Sequence, residues 1–416
     1  MEALFLLIAL AAVFGAVAYP AMRRRRLGQG HRDGVRGFTQ ALDPSAGYGF
    51  VPSDQLDVRL PGPDRELVEA LEETQRGQEW EPVARLLAFT GDEYELRWQR
   101  VQSLAGAAAM ELARSREPAR SRELGAPGTG TFGADASGPG ASGPGGARDA
   151  VSFSKDFSRQ EPSPQQDARW LRDWRAQQPR DPGGAQVYAQ FLVFQALAEP
   201  GGSDDRRIIL EEARNVAHDA AELDPADPTP HLTELFIARH LEYREADFES
   251  LWSSVRRLAP DHMGAHLAAL PYWSAKWAGS KEQADAFART AASHAPEGTL
   301  LPALPLFAAY DHLPEVNMVR GLYQSEEIAQ AIEAAEFAVD QVEDDHPVRP
   351  HVLHLLVWFL VRAERYAEAL EALAAVDGHV GAVPWVDEGD PAAAYAAYRA
   401  LAVAGYESTG GARTPH

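Results

Sequence analysis

The strongest constraint on the fold is a period of 35 to 36 residues between three prolines that each follow a predicted helix, Pro225, Pro260 and Pro296. A helix cannot run through proline, which lacks the backbone N–H and whose ring clashes with the preceding turn. Twelve, eight and five residues before each proline, small or apolar residues share one helix face. These are Ala213, Ala217 and Ala220, then Phe248, Trp252 and Val255, then Ala284, Ala288 and Ala291. The sequence therefore predicts stacked helical hairpins, in which each unit buries the stripe of the next.

Helical periodicity covers most of the chain, and no convincing run of alternating strand residues occurs. The sequence thus predicts an all-α fold, an α-solenoid of helical hairpins. Residues 125–146 are mostly small or polar and cannot bury a core, so they predict a disordered insertion. The predicted segments are an anchor over 1–22, a basic tether over 23–62, N-terminal repeat helices over 63–116, a disordered segment over 117–165, the main helical domain over 166–404 and a flexible tail over 405–416.

An uncharged, apolar run over residues 3–22 predicts one transmembrane helix, because twenty residues span about 30 Å, the thickness of a bilayer core. Four arginines follow it directly: Arg23, Arg24, Arg25 and Arg26. The positive-inside rule then places the N-terminus outside and the main domain in the cytoplasm, with the arginines at the inner membrane surface. A cleaved export signal is the alternative, since residues 16–18 read Ala-Val-Ala.

Composition excludes several classes of function. The formal net charge of −22 disfavours nucleic-acid binding, because an acidic body repels phosphate backbones. The chain contains no cysteine, so it has no disulfide, thiol nucleophile or thiolate metal ligand. No phosphate-binding loop, dinucleotide fingerprint or kinase motif is visible, and the sequence predicts no catalytic residue, metal or cofactor.

The period and the closing prolines resemble the tetratricopeptide pattern, a helical hairpin of about 34 residues. Two further segments are similar to the first half of that pattern: Gly77-x2-Trp80-x2-Val83 and Ala363-x2-Tyr366-x2-Ala369-Leu370. Other motifs resemble a bacterial, actinobacterial-type family of unknown function: Arg76-Gly77-x2-Trp80, Leu96-Arg97-Trp98 and Lys276-Trp277-Ala278-Gly279-Ser280-x6-Phe287-Ala288-Arg289. The resemblance covers about residues 65–116 and 166–312. It implies a helical stack with a groove for peptides or partner domains, and it brings no known activity.

The first candidate binding site is a cluster of Trp273, Lys276 and Trp277. Two indoles four residues apart are able to line a pocket or hold a cation, although packing at a turn between repeats is the favoured interpretation. Ser280 follows, three residues before Gln283 at a helix start, which predicts a helix cap rather than a nucleophile.

Two histidine groups could in principle bind a metal. His262 and His266 are four residues apart, and a second group lies beside two aspartates. Neither group has the H-E-x-x-H motif, so histidines at the edge of the core are the favoured interpretation. The second group comprises His346, His351 and His354 beside Asp344 and Asp345.

A run of carboxylates between Arg320 and Arg349 predicts an amphipathic helix that is capped by Ser325. Its inward positions are Ile328, Ile332, Ala335 and Val339. The acidic face is either simply solvated or a docking surface for a basic partner. The acidic residues are Glu326, Glu327, Glu333, Glu336, Asp340, Glu343, Asp344 and Asp345.

Anchor, arginines and repeat together predict a single-pass inner-membrane protein whose cytoplasmic helical domain binds an unidentified protein as a scaffold or adaptor. The alternative is an enzyme of unrecognised class that gathers histidines and carboxylates across its repeats.

Overall fold

The computed structural model of the chain describes Ser45 and residues 47–124, 167–314 and 321–411, and of residues 116–124 it describes the backbone only. Within these residues all regular elements are helical, which confirms the prediction of an all-α fold. The α-helices are α1 (Arg65–Gly77), α2 (Glu81–Thr90), α3 (Tyr94–Leu124), α4 (Arg169–Gln177), α5 (Pro182–Ala198), α6 (Asp204–Leu223), α7 (Thr229–His240), α8 (Glu245–Leu258), α9 (Met263–Ala269), α10 (Lys281–Ser293), α11 (Leu304–Asp311), α12 (Glu326–Gln341), α13 (Arg349–Arg362), α14 (Tyr366–Val376) and α15 (Pro391–Ser408).

The helices pack chiefly against their neighbours in the sequence. Pairs in contact include α5 with α6, α10 with α11, and α13 with α14. Helix α5 also contacts α7, so that successive pairs lie on one another. This arrangement is consistent with an α-solenoid, in which each hairpin covers an apolar face of the next.

The predicted stripe is the surface through which the repeats pack. Helices α6, α8 and α10 end at Leu223, Leu258 and Ser293, shortly before the three prolines. Eight of the nine stripe residues are buried, and Ala291 is half-buried. Burying an apolar side chain contributes roughly 25 cal/mol for each Å² removed from water, so this shared stripe stabilises the stack.

The N-terminal helices begin close to the predicted positions. Asp64 caps α1 by accepting a hydrogen bond from the backbone N–H of Leu67 (3.0 Å). Helix α3 continues to Leu124, beyond its predicted end at Arg116. The remainder of the predicted disordered insertion lies outside the described residues.

An irregular segment, residues 47–62, packs on the C-terminal helices, and we call it the N-terminal strap. Arg399 of α15 donates from Nη1 to the carbonyl of Val51 (2.7 Å). The Val51 N–H in turn donates to Oδ2 of Asp377 (2.6 Å). The sequence predicted only a tether here, and the structure adds that the strap is bound to the C-terminal helices.

A glycine allows the last part of the strap to approach closely. The N–H of Gly381 donates to the carbonyl of Leu60 (2.9 Å). A Cβ atom at position 381 would lie 2.5 Å from the Leu60 carbonyl carbon, which is much closer than van der Waals contact. The approach therefore requires a residue without a side chain.

Among the described residues, no helix is both long and apolar enough to cross a membrane. The predicted anchor over residues 3–22 and the arginines after it lie outside the described residues.

Candidate functional site

A groove of about 1150 Å³ opens along one edge of the stack. This edge is formed by the turns within successive hairpins, at residues 199–203, 241–244 and 274–280. Six basic and four acidic side chains line the groove, on a protein whose net charge is −22, and we call it the basic groove. The basic residues are Arg206, Arg207, Arg214, Arg239, Arg244 and Lys276, and the acidic residues are Asp204, Glu211, Glu242 and Asp247.

The structure separates the three residues of the first candidate site. Lys276 and Trp277 line the basic groove. Trp273 does not, because it ends a 3-10 helix whose side chains are buried. Its ring packs against those of Phe248 (centroids 5.7 Å apart) and Phe287 (6.4 Å). Trp273 therefore packs between helices, which was the alternative interpretation of the cluster, and it does not line the groove with the other two residues.

A tight turn places Lys276 and Trp277 at the groove. The N–H of Gly279 donates to the carbonyl of Ser274 (3.2 Å), which closes the turn. A Cβ atom at position 279 would lie 2.1 Å from the carbonyl oxygen of Trp273, so the turn requires glycine. The hydrogen bond of this turn fixes the backbone that carries Lys276 and Trp277.

Side chains from three hairpins meet at the inner end of the groove. The rings of Trp277 and His240 meet edge to face, with centroids 4.9 Å apart. The guanidinium carbon of Arg239 lies 5.4 Å from the centre of the Trp277 ring and 4.8 Å from that of Phe236, within cation–π range. Nη2 of Arg206 lies 2.9 Å from Nδ1 of His240.

The electrostatics of this inner end are dominated by positive charge. Burial, together with nearby Arg239 and Arg206, lowers the pKa of His240 to about 3, so the ring is neutral at pH 7. Its Nδ1 then accepts a hydrogen bond from Arg206, while Nε2 carries the proton. Burial also lowers the pKa of Arg239 to about 9, and the attraction of Asp311 opposes the change. Arg239 therefore remains charged at neutral pH.

The cations of the groove differ in whether a carboxylate neutralises them. Nζ of Lys276 contacts Oδ1 of Asp311 (3.2 Å) and its carbonyl oxygen (2.7 Å). Arg206 is only 8% exposed and, among the described residues, has no carboxylate within 4 Å. The exposed cations are paired: Arg207 with Asp204 (3.6 Å) and Glu211 (3.0 Å), and Arg244 with Asp247 (2.8 Å).

Sequence analysis missed Arg206, Arg239 and His240, although the period could have indicated two of them. Arg206, His240 and Lys276 are separated by 34 and 36 residues, close to one repeat. Residues one repeat apart occupy equivalent turns, which line the same edge of a helical stack.

The first histidine pair is used by the fold. Nδ1 of His262 accepts the N–H of Ala265 (3.0 Å) and so caps α9. Nδ1 of His266 contacts the carbonyl of His262 (3.0 Å), and its ring lies edge to face with Trp252, at 4.9 Å. Nδ1 of His262 also lies 3.4 Å from Oε2 of Glu95, so the two rings have separate partners.

The second histidine group is likewise dispersed. Nδ1 of His346 accepts the N–H of Val348 (3.2 Å). His354 lies between the indole N–H of Trp385, which donates to Nδ1 (3.0 Å), and the carbonyl of Pro61, which accepts from Nε2 (3.0 Å). In the described part of the chain, no group of three or more His, Asp or Glu residues could hold a metal ion.

Both predicted serine caps are present. Ser280 caps α10 by accepting the N–H of Gln283 (3.2 Å), and Ser325 caps α12 by accepting that of Ile328 (3.5 Å). Each satisfies a backbone donor that the first turn of a helix leaves unpaired.

The acidic helix α12 is amphipathic as predicted. Its inward positions, from Ile328 to Val339, are buried. Part of its acidic face is neutralised, since Glu336 forms an ion pair with Arg365 (2.9 Å). Beside it, Phe337 is 59% exposed and lines a shallow groove of about 530 Å³.

Comparison with known proteins identifies no relative: no family model, curated protein or solved structure matches this chain.

Proposed function

We propose that this protein is a membrane-anchored, tetratricopeptide-like scaffold or adaptor that binds another protein in its basic groove. The observation that carries the proposal is the groove itself. It combines aromatic rings and basic side chains at one edge of a strongly acidic protein. Aromatic and arginine side chains are the residues that most often dominate binding energy at protein interfaces.

The partner that suits this groove carries acidic groups. A positive concave surface attracts a negative segment, and the acidic remainder of the protein repels it from other faces. Trp277 offers a large apolar surface within the groove, against which aliphatic or aromatic side chains of the partner can pack.

The proposal places the groove in the cytoplasm, near the membrane. It rests on the apolar run over residues 3–22 and on the four arginines after it. Holding the domain at the membrane raises its effective concentration toward partners that are also bound there.

Site-specific photocrosslinking of the full chain in membranes tests the proposal. A crosslinking amino acid replaces Arg244 at the rim of the groove, and in a control it replaces Phe89, which is 85% exposed. We expect a discrete protein adduct from position 244 and not from position 89. Trp277→Ala should abolish that adduct, while Phe337→Ala, on the separate shallow groove, should retain it.

Identical adducts from positions 244 and 89, or an adduct unaffected by Trp277→Ala, would contradict binding in the basic groove.

A further inference from the structure

We propose that the inner end of the basic groove binds a phosphate group on the partner protein, with Arg206 as its principal ligand and Arg239, Lys276 and Trp277 around it. This inference rests on the proposed function and adds the chemistry by which the partner is recognised. Three properties of this part of the groove support it: the environment of Arg206, the positive charge around it, and the volume of the groove.

The environment of Arg206 favours the binding of an anion. Its side chain is buried at the start of α6 and carries a full charge. The one hydrogen-bond partner described for it is the neutral ring of His240 (2.9 Å). Desolvating a charge is costly unless an opposite charge compensates for it. A guanidinium has five donors in a planar fork, so Arg206 retains donors with which to bind an anion.

The charged groups near Arg206 also favour a phosphate. Three cations, Arg206, Arg239 and Lys276, line this part of the groove. Asp311, which contacts Lys276, supplies one negative charge. The cations thus outnumber the carboxylate at this point of the groove, and this positive charge suits a phosphate dianion. Arginine forks also match the geometry of phosphate oxygens.

The volume of the groove also supports a phosphate carried on a protein. A groove of about 1150 Å³ is far larger than a phosphate group and leaves room for the peptide that carries it. At the opening, Gly202 has φ +76 and no atom within 4 Å of where a Cβ would lie. The chain there leaves the approach to Arg206 open. Trp277 also lines the groove, and its ring packs edge to face on the His240 ring that contacts Arg206.

Inorganic phosphate is the first probe, added to the full chain in detergent and followed by the width of its ³¹P resonance. Acetate at the same ionic strength serves as a competitor. We expect saturable broadening that acetate does not reverse. Arg206→Lys keeps the charge but removes the fork, and it should weaken binding at least tenfold.

Arg207→Lys is the matched control, since Arg207 is adjacent, exposed and already paired with Glu211 (3.0 Å), and it should bind as the wild type does. Circular dichroism and the unfolding midpoint verify that each variant is folded. If Arg206→Lys does not fold, Trp277→Phe at the wall provides the second comparison, with a weaker expected loss. No saturable broadening, or equal broadening in wild type and Arg206→Lys, overturns the inference.

A second experiment establishes the source of the phosphate. Membranes are treated with a protein phosphatase before crosslinking from position 244. We expect the protein adduct to fall at least fivefold, and a phosphatase inhibitor to restore it. An adduct that persists after treatment, yet still requires Trp277, overturns the phosphate inference and leaves the proposed function intact. An adduct with lipid instead of protein overturns both.

Discussion

Arg100 in the N-terminal helices and Arg206 in the basic groove are both buried, but their partners differ in kind. Arg100 donates to Asp64 (2.9 and 3.1 Å) and to the hydroxyl of Thr90 (2.8 Å). Arg206 contacts the neutral ring of His240, and no described carboxylate neutralises it. A buried cation paired within the fold is part of the fold. One that the fold leaves without a counter-charge is suited to a ligand.

The same contrast extends to two other buried arginines. Arg97 contacts Asp227 (2.6 Å), and Arg399 contacts Asp377 (3.5 Å) and the strap. Each of these links segments that are distant in the sequence. Three of the buried arginines, Arg97, Arg100 and Arg399, thus contact a carboxylate, and Arg206 does not.

The largest expected effect comes from breaking a structural pair. Asp64→Ala removes the cap of α1 and one of the two carboxylates that contact Arg100, the other being the exposed Glu66 (2.8 Å). Removing one member of a buried ion pair, so that the other stays buried without it, lowers the free energy of unfolding by about 4 kcal/mol. Urea unfolding of the full chain in detergent, followed by tryptophan fluorescence, measures the change. Asp54→Ala, at an exposed strap position, is the control and should have little effect.

A loss below about 1 kcal/mol for Asp64→Ala would show that Arg100 does not depend on the buried carboxylate of Asp64, and the contrast with Arg206 would lose its basis.

The next effect concerns the strap. Gly381→Ala would place a Cβ 2.5 Å from the backbone of Leu60, and backbone atoms cannot rotate away as a side chain can. We expect a loss of about 3 kcal/mol, at the upper end of the cost of overpacking. Gly389→Ala, where no atom lies within 4 Å, is the matched control. Unchanged urea midpoints for both variants would mean that the strap is not bound there in solution.

Protonation of His354 should destabilise the same end of the molecule. Burial lowers its pKa to about 3 in the folded protein, whereas the unfolded chain titrates near 6.5. The unfolded state therefore binds the proton first, and stability is lost as the pH falls from 6.5 toward 3. At pH 5 the loss is about 2 kcal/mol, from 1.36 kcal/mol for each pH unit.

Urea unfolding at several pH values measures this slope. His354→Gln should reduce this slope between pH 6.5 and 4 by the share of one buried histidine, whereas His294→Gln, at an exposed position, should not. If the His354→Gln variant keeps the full pH dependence of the free energy of unfolding, that dependence arises from other buried groups.

Sequence reasoning succeeded where the causes were local. The caps at Ser280 and Ser325 and the buried stripe depend on residues within a few turns of one another. It did not find the contact of Leu60 with Gly381 or that of Arg206 with His240. Such contacts join segments through the stacking of whole helices, which no local pattern encodes. Only the repeat period carries part of that information, since it brings equivalent turns to one edge.

The smallest expected effect completes the comparison of the two arginines. Replacing a buried charge that lacks a counter-charge with an apolar side chain of similar length is often neutral or stabilising. Arg206→Met should therefore change the free energy of unfolding by less than about 1 kcal/mol, or raise it. Arg100→Met, measured in parallel by urea unfolding, should lose about 3 kcal/mol because Asp64 is left buried without its cation.

The pKa of His240 supplies a second measurement on Arg206→Met. Arg206 is one of the charges that keep it low, so the pKa should rise, as followed by NMR of ¹⁵N-labelled histidine. If Arg206→Met instead unfolds as readily as Arg100→Met, Arg206 is a structural residue. Arg206 would then no longer differ from the buried arginines elsewhere in the fold that contact carboxylates.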